Sequence, residues 1–249
     1  MPDYTIRTLE EYTLSAWPSL QTIYYDGWVL RFASGYTRRA NSVNPLYPSS
    51  LDTRAKMRHC ETLYTERGLN TVFKLTPQVC PADLDATLDS LGYEQDAPTS
   101  VQTMTLDTLK PPAGTDARLS PQYSDAWLDA FCRMNAVPEQ HHTTMPRLLD
   151  HIAPRTAYAM LLNGERVAAV GLAVADGGYA GLFDIVVAPE LRGRGLGEQL
   201  VLHLLDWGRA AGAHTGYLQV MLNNAPALRL YERIGFREVY RYWYRVKRR

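Results

Sequence analysis

The residues with the clearest chemical potential stand in one short segment, Arg192–Gly197, which reads Arg-Gly-Arg-Gly-Leu-Gly. Glycines allow the backbone to approach a ligand closely, and the free amides at the start of a helix attract negative oxygens. The two arginines add positive charge and can donate hydrogen bonds to an anion. The segment is therefore typical of a site that binds phosphate groups.

Three kinds of nucleotide-binding loop have glycine patterns with which this segment can be compared. The Walker loop requires Gly-Lys-Ser/Thr after its glycines, and this segment contains no lysine. The dinucleotide fingerprint requires a third glycine where Glu198 stands, and an acidic residue at the end of the next strand, which Gly216–Met221 lacks. The pattern Arg192-x-x-Gly195-x-Gly197 instead resembles the R/Q-x-x-G-x-G/A loop of the GCN5-related N-acetyltransferases (GNAT), which holds the pyrophosphate of acetyl-CoA.

A second motif downstream resembles the other half of the same family's signature. It reads Asn224-x-x-Ala227-x-x-Leu230-Tyr231-x-x-x-Gly235-Phe236, and the two halves come in the family's order at the family's separation. The resemblance extends from about residue 115 to residue 246. It implies an acetyltransferase fold, acetyl-CoA as the acetyl donor and a primary amine as the acceptor.

The resemblance also implies which residues act. Tyr231 stands at the position of the family's general-acid tyrosine, which protonates the leaving thiolate. The strand before the loop lines the pantetheine and acetyl group in this family, and no metal site is implied. The residues expected to contact acetyl-CoA are Ile185, Val186, Val187, Arg192, Gly193, Arg194, Gly195, Leu196, Gly197 and Asn224.

The group that removes the proton from the amine is less clear. Ribosomal-protein acetyltransferases carry a glutamate on the strand after the long helix, and Gln219 occupies that position here. Since glutamine cannot accept a proton usefully, a base elsewhere or a chain of waters is expected. Asp184, inside an otherwise apolar strand, is the first candidate. Glu139, His141 and His142 in a polar connection are the others.

The hydrophobic pattern predicts the elements that position these residues. A buried strand over 183–187 and a helix from Leu196 to about Gly212 flank the loop, and Asn224 or Asn223 caps a later helix. Upstream, Asn163-Gly164 turns a hairpin of strands 156–162 and 166–175. With an edge strand at 117–119, helices over 124–135 and 145–152 and a last strand over 240–245, the order is β-α-α-β-β-β-α-β-α-β, that of the acetyltransferase fold.

The first half of the sequence repeats the order of the second. Strands are predicted over 27–32, 38–43 and 71–75, and helices over 9–16 and from Ser50 and Pro81. No glycine stands at Pro48-Ser49-Ser50-Leu51-Asp52, where the second half has its loop, so this copy is expected to have lost the chemistry. The fold class is therefore α/β with two tandem GNAT-like halves, each a mixed, mostly antiparallel twisted sheet flanked by helices. The predicted domains are 1–108, a linker over 109–114, and a catalytic domain over 115–249.

The composition of the chain limits the partners and the cellular compartment that we expect. The formal net charge of +0 over 249 residues gives no reason to expect nucleic acid or an anionic membrane as a partner. Cys60, Cys80 and Cys132 are odd in number and widely spaced, which favours a reducing compartment. The first residues lack the features of a signal peptide and no apolar run reaches transmembrane length, so a cytoplasmic protein is expected, as a monomer or homodimer.

Two other functions remain open from the sequence. The absence of the usual glutamate favours a module that senses acetyl-CoA without transferring the acetyl group. A scaffolding role for the first half is the weaker alternative. Acceptor specificity resides in loops rather than in the motif, so the motif is compatible with many primary amines.

Overall fold

The computed structural model describes residues 6–113 and 117–248. The chain divides into two compact units, the first containing Met1–Ser100, Thr143–His151 and Tyr240–Arg249, the second Val101–His142 and Ile152–Val239. The N-terminal residues 1–5, the end of the predicted linker (residue 114), the first residues of the predicted catalytic domain (115 and 116) and residue 249 lie outside the described residues. The domain boundaries at 108 and 115 stay a prediction.

The first unit is a sheet with helices. Its strand order is β1-β2-β3-β4-β11-β5, and β3 and β4 run parallel. The core contains Trp28, Phe73 and Tyr93, all at most 2% exposed. The elements are α1 (Ile6–Ala16), β1 (Gln21–Tyr25), β2 (Trp28–Phe32), β3 (Val43–Pro45), α2 (Thr53–Glu66), β4 (Thr71–Leu75), α3 (Leu84–Ser90), the first part of β5 (Glu94–Thr105), α5 (Thr144–Asp150) and most of β11 (Arg237–Lys247).

The second unit contains the predicted loop and both family motifs. Its strand order is β5-β10-β9-β8-β7-β6, in which β9 and β10 are parallel and the pairs from β6 to β9 are antiparallel. The remaining elements of this unit are β6 (Ala117–Ser120), α4 (Asp125–Met134), β7 (Arg155–Asn163), β8 (Arg166–Asp176), β9 (Tyr179–Val187), α6 (Leu196–Ala210), β10 (Thr215–Met221) and α7 (Ala225–Ile234). The predicted mixed α/β fold is confirmed.

Local sequence accounts for the elements around the site. The apolar face of α6 is fully buried, with Leu200, Val201, Leu204 and Leu205 all 0% exposed. Each such side chain contributes roughly 1.5–3 kcal/mol by leaving water. Gly164 turns the β7–β8 hairpin at φ 64°, in the left-handed region that glycine adopts freely. The buried face holds α6 against the core of the second unit.

Both units contain one strand–helix–strand connection between parallel strands. In the first unit β3, α2 and β4 follow one another, and in the second unit β9, α6 and β10 do so. A pair of antiparallel strands precedes each connection, and a short helix and a strand follow it. The order of these elements is therefore similar in the two units.

The sequence predicted the last strand over 240–245 but not its partner in the sheet, and it did not predict β5. The first unit is completed by the end of the chain, where Trp243–Lys247 of β11 pairs with Leu75–Thr71 of β4. The second unit contains Val101–Thr105 of β5, which is next to β10 in the strand order. Each half of the sequence thus provides a strand to the unit built mainly from the other half.

Other predictions for the first half need correction. The strand predicted over 38–43 is wrong: Arg38–Ala40 is a short 3₁₀ helix, and β3 begins only at Val43. The Asn41 side chain explains this, since its oxygen accepts hydrogen bonds from the amides of Ala33 and Gly35 (2.7 and 3.0 Å). A side chain that satisfies the backbone locally competes with a strand. The sequence also missed β1 and β5.

Two helices of the first half begin three residues later than the sequence predicted. The helix predicted from Ser50 begins at Thr53, after the cap Asp52, and the helix predicted from Pro81 begins at Leu84. Across the described ranges, no helix combines the length and the apolar content that crossing a bilayer would require.

Candidate active site

The site lies where two parallel strands part. β9 and β10 pair only from Tyr179–Leu182 to Thr215–Leu218, and β9 continues to Val187 alongside β8. A cleft of about 650 Å³ opens beyond the last pair and is lined by Ile185, Val186 and Val187 on one side. Its volume is in the range of small-molecule sites. The cleft therefore exposes the end of a central strand to a ligand.

A β-bulge distorts this strand at the cleft. Gly171 of β8 faces both Asp184 and Ile185, because Leu172 pairs with Phe183 while Val170 pairs with Val186. Asp184 has φ 54°, a left-handed conformation that costs an L-residue roughly 1–2 kcal/mol. Strain of this kind is often found at functional sites.

Two features of the surrounding core maintain the bulge. A Cβ on Gly171 would lie 2.7 Å from the Cδ1 atom of Ile185, so only glycine leaves room for that side chain. Trp127, which is 1% exposed, donates from its indole nitrogen to the carbonyl oxygens of Gly171 (3.2 Å) and Ala159 (3.1 Å). The bulge is thus held by the close packing of Ile185 against Gly171 and by the hydrogen bonds that Trp127 of α4 donates.

The glycine-rich loop presents a row of amides at the start of α6. Gly193 and Gly195 have φ 77° and 78°, and a Cβ at either position would meet no atom within 4 Å. Among the described residues, the five amides from 193 to 197 have no hydrogen-bond acceptor. Arg192 ties the loop to the strand through its Nε, which donates to the carbonyl of Val187 (3.3 Å). The arrangement suits the oxygens of an anion.

The opposite wall of the cleft is α7. The side chain of Asn224 caps this helix by accepting from the amide of Ala227 (3.3 Å), which decides between the two predicted caps. Tyr231 lies one to two turns further along the helix and also lines the cleft. The helix ends at Gly235, with φ 121°. The spacing of the second motif therefore places a capped helix start and a tyrosine on one wall.

Tyr231 is suited to donate a proton. It is 8% exposed and its ring packs edge-on against Phe236, with the centroids 5.9 Å apart. Burial raises the pKa of Tyr231 to about 12, so its phenol is neutral at physiological pH. Its hydroxyl has no hydrogen-bond partner among the residues described. A ligand in the cleft can therefore accept a hydrogen bond from the Tyr231 hydroxyl.

The rim of the cleft carries more positive than negative charge. Arg192, Arg229 and Arg233 line it, and Glu198 forms an ion pair with Arg233 at 3.3 Å. The positions 229 and 233 are one helical turn apart on α7, but each is two residues from Tyr231, a spacing that does not place side chains on one helix face, so the motif did not point to them. Asn135, also in the lining, had no signal in the sequence.

One of the ten predicted acetyl-CoA contacts and all of the candidate bases are absent from the cleft lining. Arg194 is exposed beside the loop, and Asp184 lies at the bulge, half-buried. The other nine expected contact residues and Tyr231 all line the cleft. Of the remaining base candidates, Glu139 and His141 form a short 3₁₀ helix. The Nε2 atom of His142 lies 2.9 Å from the carbonyl of Val137.

Comparison with known proteins agrees with this geometry. Residues 4–245 match a family model described as "Probable histone acetyltransferase Rv0428c C-terminal". An N-acetyltransferase of Bacillus subtilis, YobR, is described as uncharacterized; it is 28% identical over 247 residues, covering 98% of this chain and 99% of that protein.

Solved structures share the fold. A GCN5-related N-acetyltransferase from Kribbella flavida has a TM-score of 0.72 at 12% identity, covering 97% of this chain and 95% of that one. A tandem GNAT protein from the clavulanic acid biosynthesis pathway has a TM-score of 0.65 at 13% identity, covering 96% and 87%. None of these comparisons supports the alternative of a sensor without catalysis. The chain belongs to the GCN5-related N-acetyltransferase superfamily and is an acetyltransferase.

Proposed function

We propose that the protein transfers an acetyl group from acetyl-CoA to a primary amine by direct attack in a ternary complex. The observation that carries the proposal is the row of amides at residues 193–197, which have no acceptor among the described residues and border a cleft that continues along β9 to Tyr231. The family model's description names a histone acetyltransferase, and lysine side chains of histones are primary amines. That name supports an amine acceptor for this chain.

The loop is proposed to hold the phosphates of acetyl-CoA. The space above Gly193 and Gly195 is free of protein atoms to 4 Å, so a ligand can approach the amides directly. The dipole of α6, fifteen residues long, favours negative charge at the same place. Arg192 on the rim and Arg194 beside the loop add charge, and Asn224 together with Ile185–Val187 borders the path toward Tyr231.

When bound, acetyl-CoA supplies an activated acetyl group as a thioester. Negative charge develops on the thioester oxygen as the amine attacks, and fixed backbone donors stabilise such charge best. We assign this role to the backbone of Ile185–Val187, beyond the last β9–β10 pair. The bulge at Asp184 sets the direction of these groups, which gives the strained residue a function.

Tyr231 is proposed as the acid. Its pKa of about 12 lies above the ordinary thiol value of about 8.5, so complete proton transfer to a thiolate is uphill by roughly 3 to 4 pKa units in the empty site. We therefore expect the phenol to stabilise the leaving sulfur mainly by donating a hydrogen bond.

Asp184 is proposed as the base that takes the proton from the amine, directly or through water. It is the carboxylate adjacent to Ile185, and its neighbours along β9 are apolar. Gln219 cannot take this role. We further propose that the protein acts in the cytoplasm without nucleic acid, as a monomer or homodimer, with its chemistry in residues 115–249.

A melting-temperature measurement with acetyl-CoA, CoA and adenosine tests the proposal. Binding to the native state alone stabilises the protein by about 2.7 kcal/mol at a ligand concentration one hundred times the dissociation constant. A shift with acetyl-CoA but not adenosine is expected, followed by CoA release with at least one amine in a panel. No shift at millimolar acetyl-CoA would refute the proposal.

A further inference from the structure

The start of α2 in the first unit is already occupied by an anionic group of the chain itself. α2 lies between the parallel strands β3 and β4, as α6 lies between β9 and β10. The carboxylate of Asp26 accepts hydrogen bonds from the amide of Ser50 (3.0 Å), the amide of Leu51 (2.9 Å) and the hydroxyl of Ser50 (2.9 Å). Equivalent amides before α6 have no acceptor among the described residues.

A buried cation completes this arrangement. The side chain of Lys56 on α2 is fully buried, and its Nζ lies 3.1 Å from Oδ2 of Asp26 and also donates to the carbonyl of Asp26. The ammonium lies 4.0 Å from the ring centroid of Trp28. A buried ammonium is stable only with an anion or acceptors beside it. Hydrogen bonds from the amides of Leu51 and Ser50 hold the pKa of the Asp26 carboxyl well below its usual range.

The backbone holds the carboxylate in place. Asp26 and Gly27 form the two-residue turn between β1 and β2, with φ 41° and 81°, and Tyr25 pairs with Trp28. A Cβ on Gly27 would lie 2.3 Å from the carbonyl oxygen of Pro48, so the turn packs directly against the segment that leads into α2. The turn and its packing therefore hold the Asp26 carboxylate in a defined position beside the segment that leads into α2.

We propose that the start of α2 is an oxyanion site which Asp26 occupies as an internal ligand, and that the first unit for this reason binds no acyl-CoA. The amides, the hydroxyl and the ammonium form a donor set of the kind that binds carboxylate or phosphate oxygens. The carboxylate satisfies these donors, so no external anion is needed. The second part of the proposal rests on the proposed function.

Removing the carboxylate should open the site to anions from solution. Asp26→Gly keeps a residue that tolerates φ 41° and removes the CH₂–COO⁻ group, which corresponds to one acetate ion. Melting temperatures are measured in sodium chloride, acetate and phosphate at equal ionic strength. At an anion concentration ten times its dissociation constant, the folding constant of the variant rises about elevenfold, a gain of about 3–6 °C over the wild type.

The matched control is Asp52→Asn. It removes a carboxylate from the same helix end, where the side chain of Asp52 accepts from the amide of Ala55 (2.8 Å), and asparagine still caps. The control and the wild type should respond to acetate and phosphate only through the general salt effect. A gain specific to Asp26→Gly, in either anion, supports the oxyanion site. Equal responses in all three proteins would overturn it.

Two further measurements keep the proposal testable. If Asp26→Gly is unfolded in chloride, far-UV circular dichroism follows its refolding as acetate or phosphate is added, and no refolding beyond that of a chloride control counts against the site. Titration of the wild type with acetyl-CoA should end at one equivalent. Two equivalents would overturn the exclusion from the first unit, whereas zero would refute the proposed function and leave the anion comparison standing.

Discussion

Substitution of Gly195 separates the role of its backbone conformation from the role of the space above it. Gly195 has φ 78°, so alanine there adopts a left-handed conformation at a cost of about 1–2 kcal/mol. An added Cβ meets no protein atom within 4 Å, so no steric cost adds to this in the free protein. For a chain of this size the melting temperature of Gly195→Ala should fall by about 2–8 °C.

The effect on acetyl-CoA binding should be larger than the effect on stability. A Cβ at Gly195 projects into the space where the proposed phosphates approach the amides. Each hydrogen bond to a charged oxygen that is lost costs about 1.5–3 kcal/mol, which is roughly a ten- to hundredfold weaker affinity. In Gly195→Glu a carboxylate adds repulsion, so its dissociation constant should rise at least about a hundredfold.

Gly164 provides the matched control for this experiment. It has φ 64° and no atom within 4 Å of an added Cβ, as at Gly195, but it lies in the β7–β8 turn. Gly164→Ala should lose similar stability and keep wild-type affinity for acetyl-CoA, measured by calorimetric titration. If Gly195→Glu binds acetyl-CoA within twofold of the wild type, the loop does not hold the phosphates and the reasoning fails.

Three further substitutions test the other roles. Tyr231→Phe removes a hydrogen bond to the charged leaving sulfur and should lower turnover roughly ten- to hundredfold with little change in acetyl-CoA affinity; an unchanged rate with an active amine would exclude this role of the phenol. With a pKa of about 12 for Tyr231, its protonated form persists as pH rises to 10, so the wild-type rate should show no alkaline loss from this group below about pH 11. Asparagine tolerates the left-handed backbone at position 184, so Asp184→Asn should lower turnover by roughly 10²–10⁴ without loss of stability, and a rate near that of the wild type across the pH range would assign the base elsewhere. Trp127→Phe removes the donor to Gly171 and Ala159 and should destabilise the protein by about 1–3 kcal/mol in denaturant titrations, whereas a neutral effect would show that the bulge does not need it.

The elements that carry the motifs could be predicted because their signals are local. Apolar residues at helical spacing predict the helix α6, and Asn163-Gly164 predicts the hairpin of β7 and β8. The helix end at Gly235 also follows from a residue type at a fixed offset, and the start of α7 was narrowed to two capping residues, Asn223 and Asn224. Each of these choices is settled within a few residues of the chain, so no distant contact is needed to make it.

The errors in the first half have a different origin. Asn41 turns the chain by bonding to amides six and eight residues earlier, which no hydrophobic pattern reveals. β5 was missed because Glu94-Gln95-Asp96-Ala97-Pro98 begins it with polar residues and a proline, and its apolar residues come only later. A strand with such a start depends on its neighbours in the sheet for its stability.

The sequence predicted only part of the cleft lining, because the rest depends on contacts between elements that are far apart in the chain. The loop and Tyr231 follow from a motif, whereas Arg229, Arg233 and Asn135 enter the cleft lining because α7 and the end of α4 border the same space. The bulge at Asp184 could not be read from the apolar run around it. It depends on Gly171 in another strand and on Trp127 in a helix more than forty residues away.

By itself, the sequence indicated the family, the order of elements from β6 to β11, the glycine-rich loop and the tyrosine of the second motif, because each rests on residue types at short and fixed separations. Only the tertiary structure decided which strands close each unit, where the central strand bulges, and that Asp26 occupies the helix start in the first unit. These outcomes depend on hydrogen bonds and packing between residues far apart in the chain. Their free energy is gained only once the units have formed, so no local pattern encodes them.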